Sequence, residues 1–331
     1  MSSKLFQWSA DKAGCWAYRM KFPRQAIEKG PNAEEFEIEC SMTIPTEWQE
    51  MADIVVGQRV TKDGPTRLWQ KWSKEGKKRL VYELDDDLFH VDPENHNAYT
   101  FFSKPDIQRN LVNNIRASHT VTVSTEPLAD VIREKTGHTD VRVVPNAIPA
   151  WLLKHQADED YTLGYMGSPT HHKDIKPVAN SFKKFFERNP EATFHAIGFD
   201  YGEFMNIPEA QRTFTKWIPD AEEAMRSLDF SFGVAPLAAS VFNRSKSDIK
   251  ALEMAALGRP CIVSSVPAYG AVKDGENGLV VRRDHEWSRA LKKMYEDEDM
   301  RRELGNNARK WAESRTNDAV RELWEKAYLG L

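Results

Sequence analysis

Cysteine is scarce: Cys15, Cys40 and Cys261 are the only three in 331 residues. An odd number with no CxxC spacing argues against a disulfide framework and against a structural zinc site. Cys261 lies in the apolar run PCIVSSV and reads as a small hydrophobe, so free thiols are expected. Long apolar runs are also missing. No stretch approaches the roughly 18 apolar residues of a membrane span, and MSSKLFQWSADKAGCW has no signal-type apolar core. A cytoplasmic protein with no membrane segment is expected. Neither sign of charge dominates, with 46 Lys and Arg against 50 Asp and Glu and a net charge of -4, so the balance announces no nucleic-acid partner. Low-complexity tracts and solenoid-period repeats are lacking as well.

What is present is globular composition, 40% hydrophobic and 29% charged, in a chain long enough for two domains. From about residue 53, short β-rich runs alternate with amphipathic stretches, the pattern of parallel βαβ units. Strands are expected at 52–60, 79–87, 119–125 and 141–146, and helices at 67–76, 104–118 and 126–137, the last closed by Gly137. The stretch 147–162 breaks this rhythm with a proline and an acidic run, and a domain boundary near 152/153 is placed there. A second series follows. Its strands are expected at 161–168, 192–198, 212–219, 229–237, 259–265 and 278–283, with helices at 175–190, 222–228 and 247–258. Three further helices are expected within 284–298, 299–314 and 316–329, with Trp287, Trp311 and Trp324 as packing anchors. The fold class is α/β, two Rossmann-like doubly wound parallel sheets, and ligands of such sheets are sought at the carboxyl ends of the strands.

The segment NRSKSDIKALEMAALGRPCIVSSVPAYGAVKDGENGLVV (243–281) is the most informative. It resembles the donor-binding region of GT-B-fold glycosyltransferases of the sucrose-synthase-like and mannosyltransferase-like retaining type. In that family a helix reading L-E-A-M-A-x-G-x-P follows the donor-phosphate loop, and a loop D-G-x-N-G-L-L-V comes later. This chain has Leu252 to Pro260 as LEMAALGRP and Asp274 to Val281 as DGENGLVV. VVPNAIP (143–149), GYMGSPTHHKD (164–174) and AGCWAYRMKFP (13–23) are more weakly similar to other family segments. The resemblance implies a GT-B arrangement with an acceptor-side domain over 1–152 and a donor domain over 153–331. It implies transfer of a sugar from a nucleotide-diphosphate sugar, UDP- or GDP-linked, to a hydroxyl acceptor, with retention and without a required cofactor or Mg²⁺.

Chemistry points to the same block. Asn243, Arg244, Ser245, Lys246, Ser247 and Lys250 surround a predicted helix start, with both serines placed to cap it. Helix N-terminal N–H groups and nearby cations suit an anion such as a diphosphate. Lys246 and its neighbours would stabilise charge on the leaving diphosphate. Glu253, three residues past Lys250, shares its helix face. By resemblance it takes the ribose hydroxyls; otherwise it forms a solvated ion pair with Lys250. Ser245 stands where the family commonly has a second glutamate beside the donor sugar. Gly167, Ser168 and His171 form a candidate second wall for the donor, with His172, Lys173 and Asp174 beside them. The adjacent histidines point apart on a helix and are not expected to hold a metal.

LVYELDDDLFHV (80–91) ends a strand in Asp85, Asp86 and Asp87. By resemblance this strand end lies on the acceptor side, where the family often has a His-Asp pair. The aspartates bind or deprotonate an acceptor hydroxyl, form a solvated turn, or hold Mg²⁺ as a DxD-type site. Gly14, Tyr18 and Arg19 are the accompanying acceptor candidates. RLWQKWSKEGKKR (67–79) interleaves Trp69 and Trp72 with basic residues, a pattern of either nucleic-acid tracking or a helix with two core tryptophans. The acceptor is therefore open, DNA bases included, as is a nucleotide-sugar epimerase or binding protein of the same fold.

Overall fold

The computed structural model describes residues 2–331, which divide into two compact units, each built on a six-stranded, wholly parallel sheet. The first unit comprises the chain up to Ala147 together with Arg244–Ser247 and Asn317–Leu331. Its strands are β1 (Ser3–Trp8), β2 (Phe36–Ser41), β3 (Ile54–Gln58), β4 (Arg79–Leu84), β5 (Thr120–Val123) and β6 (Val141–Val143), in the order β2-β1-β3-β4-β5-β6. The run Ile54–Gln58 is buried throughout, as expected of a parallel strand covered on both faces. Helices α1 (Asp63–Glu75), α2 (Pro105–Arg116) and α3 (Glu126–Thr136) connect the later strands. Gly76 and Gly137 end α1 and α3 at φ of 63° and 71°, left-handed conformations that glycine adopts without penalty. In α1, Trp69 and Trp72 lie three residues apart, share one face and are buried.

The second unit spans Ile148–Asn243 and Asp248–Thr316. Its strands are β7 (Tyr161–Gly167), β8 (Phe194–Gly198), β9 (Arg212–Lys216), β10 (Phe230–Ala235), β11 (Cys261–Ser264) and β12 (Leu279–Val281), in the order β12-β11-β10-β7-β8-β9. Helices α4 (Ala179–Arg188), α5 (Ile249–Ala256), α6 (Trp287–Glu296) and α7 (Glu298–Glu313) belong to it. Trp287 sits in a core cluster with Phe182 and Phe186 of α4, while Trp311 is only partly buried against a second cluster.

The C-terminal helix α8 (Asn317–Leu329) returns to the first unit. Val320, Trp324 and Tyr328, one turn apart, join Leu5, Val56 and Val81 in its core. The sequence reading assigned everything after 152 to one domain; the compact units instead divide at 147/148, with 244–247 and the last helix grouped with the first. Strands β1 and β2 were not expected, because SKLFQW carries Lys4 and Gln7 among its apolar residues. Gln7 is nonetheless fully buried and donates to the Tyr328 hydroxyl at 3.4 Å. The strand expected over 79–87 stops at Leu84, since Asp87 folds the chain into a turn.

Candidate functional site

In each sheet the chain builds outward on one side of its first strand and then resumes on the other. The switch falls between β1 and β3 in the first unit and between β7 and β10 in the second. Crevices at the carboxyl ends of the two strands flanking such a switch are where open α/β sheets take ligands.

In the second unit, β7 and β8 end side by side on Gly167 and Gly198. A Cβ on Gly167 would lie 2.5 Å from the Tyr165 ring. One on Gly198, at φ +102°, would lie 2.6 Å from the Gly167 carbonyl oxygen. Both strand ends are therefore held as bare backbone, which permits close approach of a ligand. Asp174, buried just beyond, ties the two sides of the switch together. Its Oδ1 accepts the Ala238 amide at 3.0 Å and Asn243 Nδ2 at 2.8 Å, and its Oδ2 lies 2.8 Å from His171 Nδ1. A carboxylate only accepts, so the proton sits on His171 Nδ1 and the ring is oriented. The Ser168 carbonyl accepts the Tyr201 hydroxyl at 2.7 Å.

Lys250, in the first turn of α5, brings its ammonium to this place. Nζ donates to the Met166 carbonyl at 2.6 Å and lies 4.9 Å from the Tyr165 ring centroid, a cation–π contact. Glu253 follows one turn later and is buried. Two segments some 80 positions apart, the Gly167–His171 turn and the start of α5, thus meet at one switch point. Asn243 spends its amide inside the loop, on Asp174 and on the Ala238 carbonyl at 2.9 Å, and so positions the site.

The serines do not cap α5. The helix begins after Asp248, receives no side-chain cap, and Asp248 itself pairs with Arg315 at 3.0 and 3.1 Å. Arg244–Ser247 groups with the first unit, where the Ser245 carbonyl accepts Thr125 Oγ1 at 2.9 Å and Ser247 Oγ accepts Asn146 Nδ2 at 2.9 Å. Arg244 is exposed.

Lys246 is also in the first unit, paired through Nζ with Asp86 Oδ1 at 2.7 Å. Burial works to lower the lysine pKa, but the attraction of Asp86 and its hydrogen bond, with Cys15 and Asp85 behind, more than offset this and raise it. One ligand atom each of Cys15, Asp85 and Asp86 lies within 4.8 Å of the others, the one group among the described residues with the makings of a metal site. The Lys246 ammonium already supplies a cation to Asp86. Burial, and then repulsion from Asp85 and Asp86, push the Cys15 thiol well above its usual pKa, so it is held protonated. Arg59, just past β3 with φ 51°, is bonded to Asp11 and donates its amide to the Glu83 carbonyl at 3.1 Å. Burial acts against its charge, while Cys15, Asp85 and Asp11 outweigh that effect. Beside Arg59 a cavity of about 310 Å³ opens at the carboxyl ends of β1 and β3.

Two acceptor candidates are structural. Arg19 is fully buried: Nε and Nη2 pair with Glu83 at 2.6 and 3.2 Å, and Nη1 donates to the Val144 carbonyl at 2.5 Å and to Asn146 Oδ1 at 3.0 Å. Its guanidinium stacks 4.5 Å from the Trp324 ring centroid. An arginine so enclosed reaches no acceptor. Asp87, also 0% exposed, accepts the Phe89 amide at 3.1 Å and lies 2.8 Å from His90 Nδ1, closing the turn after β4. Gly14 faces open space, and Tyr18 packs edge-on to Phe22 at 5.7 Å. Glu83, ionisable inside the apolar strand LVYEL, was the signal for Arg19, because a buried carboxylate demands a cationic partner. Trp69 and Trp72 are buried and Trp69 Nε1 donates to the Asn114 carbonyl at 3.0 Å, so the basic helix has no tryptophan to stack on bases. Among the described residues no helix is long and apolar enough to cross a membrane.

The family model of glycosyl transferases group 1 matches residues 160–297. No curated protein matches the chain. Among solved structures, HepE of Anabaena in complex with UDP-glucose superposes with a TM-score of 0.71 at 13% identity, covering 100% of both chains. Sucrose-phosphate synthase from Thermosynechococcus elongatus gives 0.69 at 14% identity, over 99% of this chain and 98% of that one. A TarM variant of S. aureus, crystallised with UDP, gives 0.61 at 13% identity, over 83% of this chain and 55% of that one. The sheets, the switch points and the matched segment lead to one conclusion: this chain has the two-sheet GT-B fold of these solved structures, and its residues 160–297 are similar to the glycosyl transferases group 1 family.

Proposed function

We propose that the chain moves a sugar from a UDP-linked donor to a hydroxyl acceptor with retention of configuration, the second unit holding the donor. The observation that carries this reading is the Lys250 ammonium fixed on the Met166 carbonyl at the switch point, beside the bare Gly167 turn. Lys250 faces the diphosphate, His171 and Ser168 border the sugar, and Glu253 takes the ribose hydroxyls. As the bond from the anomeric carbon to the phosphate oxygen breaks, negative charge grows on the diphosphate. A cation fixed beforehand stabilises that charge without reorganisation. In the first unit, Asp85 and Asp86 receive the acceptor hydroxyl, and Lys246 balances the charge of Asp86. In this scheme Lys250 supplies the positive charge at the diphosphate. The UDP complexes of HepE and TarM support the choice of carrier.

The test is thermal shift against UDP-, GDP-, ADP- and CDP-sugars, followed by mass spectrometry of products with candidate acceptors. A melting-temperature rise with UDP-sugars alone is expected. Interconversion of the donor sugar without an acceptor would identify an epimerase and overturn the transfer reading. Kinetics of Lys250→Ala should show turnover falling roughly 30- to 1000-fold, the effect of about 2–4 kcal/mol of lost charge stabilisation.

A further inference from the structure

We propose that the cavity at the carboxyl ends of β1 and β3 is the acceptor subsite, and that it selects an acceptor whose body is an aromatic ring rather than a bare saccharide. The proposal rests on the transfer reading above. The cavity is about 310 Å³, at the lower end of the volumes of small-molecule sites, and takes one or two rings. Its apolar wall is made by Trp8, Met42, Val60, Pro65, Phe101 and Phe102, all within the first unit. The indole of Trp8 is pinned by its bond to the Met42 carbonyl at 3.0 Å, and Phe101 and Phe102 stand edge to face at 5.0 Å. Fixed aromatic faces and edges of this kind suit a flat ring.

The polar groups of the wall decide between a ring and a sugar. Gln58 accepts the Ala10 amide at 3.2 Å and donates to the Cys15 carbonyl at 3.4 Å. Thr61 donates to the Arg59 carbonyl at 3.3 Å, and Asp11 is divided between Arg59 and the Ala13 amide. Arg59 Nε has no hydrogen-bond partner but is enclosed, the Ser9 hydroxyl faces the Cys40 thiol, and exposed Lys62 is the remaining charged residue of the wall. A saccharide presents a hydroxyl on nearly every ring carbon, more than Lys62 and Asp11 could meet, and those set against the apolar wall would be desolvated without a partner. An aromatic ring bearing one acceptor group, which Lys62 can meet, matches such a wall.

Position agrees with this role. Arg59 follows β3 and bonds to Glu83 of the adjacent β4, after which come Asp85 and Asp86. Neighbouring strands are about 4.8 Å apart, so a hydroxyl carried on a ring in the cavity reaches toward those carboxylates. In the transfer, the acceptor oxygen bonds to the anomeric carbon as the anomeric carbon–phosphate oxygen bond breaks. The electron pair leaves with the nucleoside diphosphate, and the hydroxyl proton ends on a phosphate oxygen.

The experiment titrates the full chain, without nucleotide, with 4-nitrobenzyl alcohol and with methyl glucoside by ligand-observed NMR. Wild type, Met42→Trp, which fills the mouth of the cavity from an exposed position, and Phe102→Ala are compared after thermal shift has confirmed folding. Binding of the aromatic alcohol alone is expected, weakened roughly tenfold in each variant. Aromatic binding that survives both variants, or saccharide binding in its place, overturns the proposal. UDP-glucose turnover with each probe separates the two readings. Transfer to saccharides only would keep the transferase and sink the aromatic acceptor. Aromatic binding with no turnover of any nucleotide sugar would sink the transfer reading while upholding the cavity as a ring site.

Discussion

Arg19 shows how far a single residue's burial alters its meaning. Removing its charge would leave the Glu83 carboxyl buried without a cationic partner, and breaking one side of a buried pair costs about 3–5 kcal/mol. Burial raises the Glu83 pKa, opposed by Arg19, and loss of the arginine removes that opposition. Arg19→Met is expected to lower the melting temperature sharply while the folded fraction keeps its KM for acceptor; a selective KM defect in a fully stable variant would restore Arg19 to the acceptor site. Lys246 and Asp86 call for a different measurement. Because the folded lysine pKa is raised above 10.5, the pairing is fully present below that pH and is lost only as pH rises through the higher value. A double-mutant cycle with Lys246→Ala and Asp86→Asn in urea unfolding should give a coupling of about 0.5–3 kcal/mol, constant from pH 6 to pH 10. A coupling that decreases between pH 6 and pH 10 would contradict the raised lysine pKa, and a coupling near zero throughout would mean the pair does not form. Cys15, held protonated, should react more slowly with iodoacetamide at pH 8 than a free cysteine in a peptide, as peptide mapping would show.

Among elements, the segment around α5 was the most legible in the sequence. LEMAALGRP encodes a helix of small and apolar residues that is buried on nearly every side, followed by the turn at Gly258 and then β11. The DGENG stretch proved to be local architecture. Gly275 takes φ +73°, Asp274 accepts the Val280 amide at 2.9 Å and Asn277 accepts the Lys273 amide at 2.6 Å, closing the turn before β12. Such turns recur because their backbone demands particular residues, which is why they are readable in one sequence. Lys250 was readable from its place at a helix start. Its anchor on Met166 was not, nor was the pairing of Lys246 with Asp86, since each joins segments far apart in the chain and leaves no local periodicity. Strand β1 was hidden by Gln7, a polar residue it buries, and with β1 the cavity beside Trp8 was hidden as well. The glycine pair at the ends of β7 and β8 offers a sharp test of that element. Gly198→Ala places a Cβ against the Gly167 carbonyl in a left-handed conformation, and about 1–3 kcal/mol of destabilisation is expected from crowding alone. Chemical denaturation measures it, and a variant as stable as wild type would show that the strand ends are not so tightly set.

For the whole molecule, the placement of α8 has a consequence for how the chain is made. The first unit is written in three pieces, the last of them the final fifteen residues, and its core includes Val320, Trp324 and Tyr328. Deleting residues 317–331 should therefore unfold the first unit while leaving the second intact, so that hydrogen exchange would find β1 to β6 unprotected and β7 to β12 still slow. Protection of both sheets after the deletion would contradict the assignment of α8. During synthesis the order is the reverse of the order of coding. Residues up to 147 leave the ribosome first, yet their sheet stays without Trp324 and Tyr328 until residues 317–331 have followed every segment of the second sheet. The unit coded first is thus the later of the two to acquire a finished core, and over that interval its sheet keeps exposed the apolar surface that Val320, Trp324 and Tyr328 later cover.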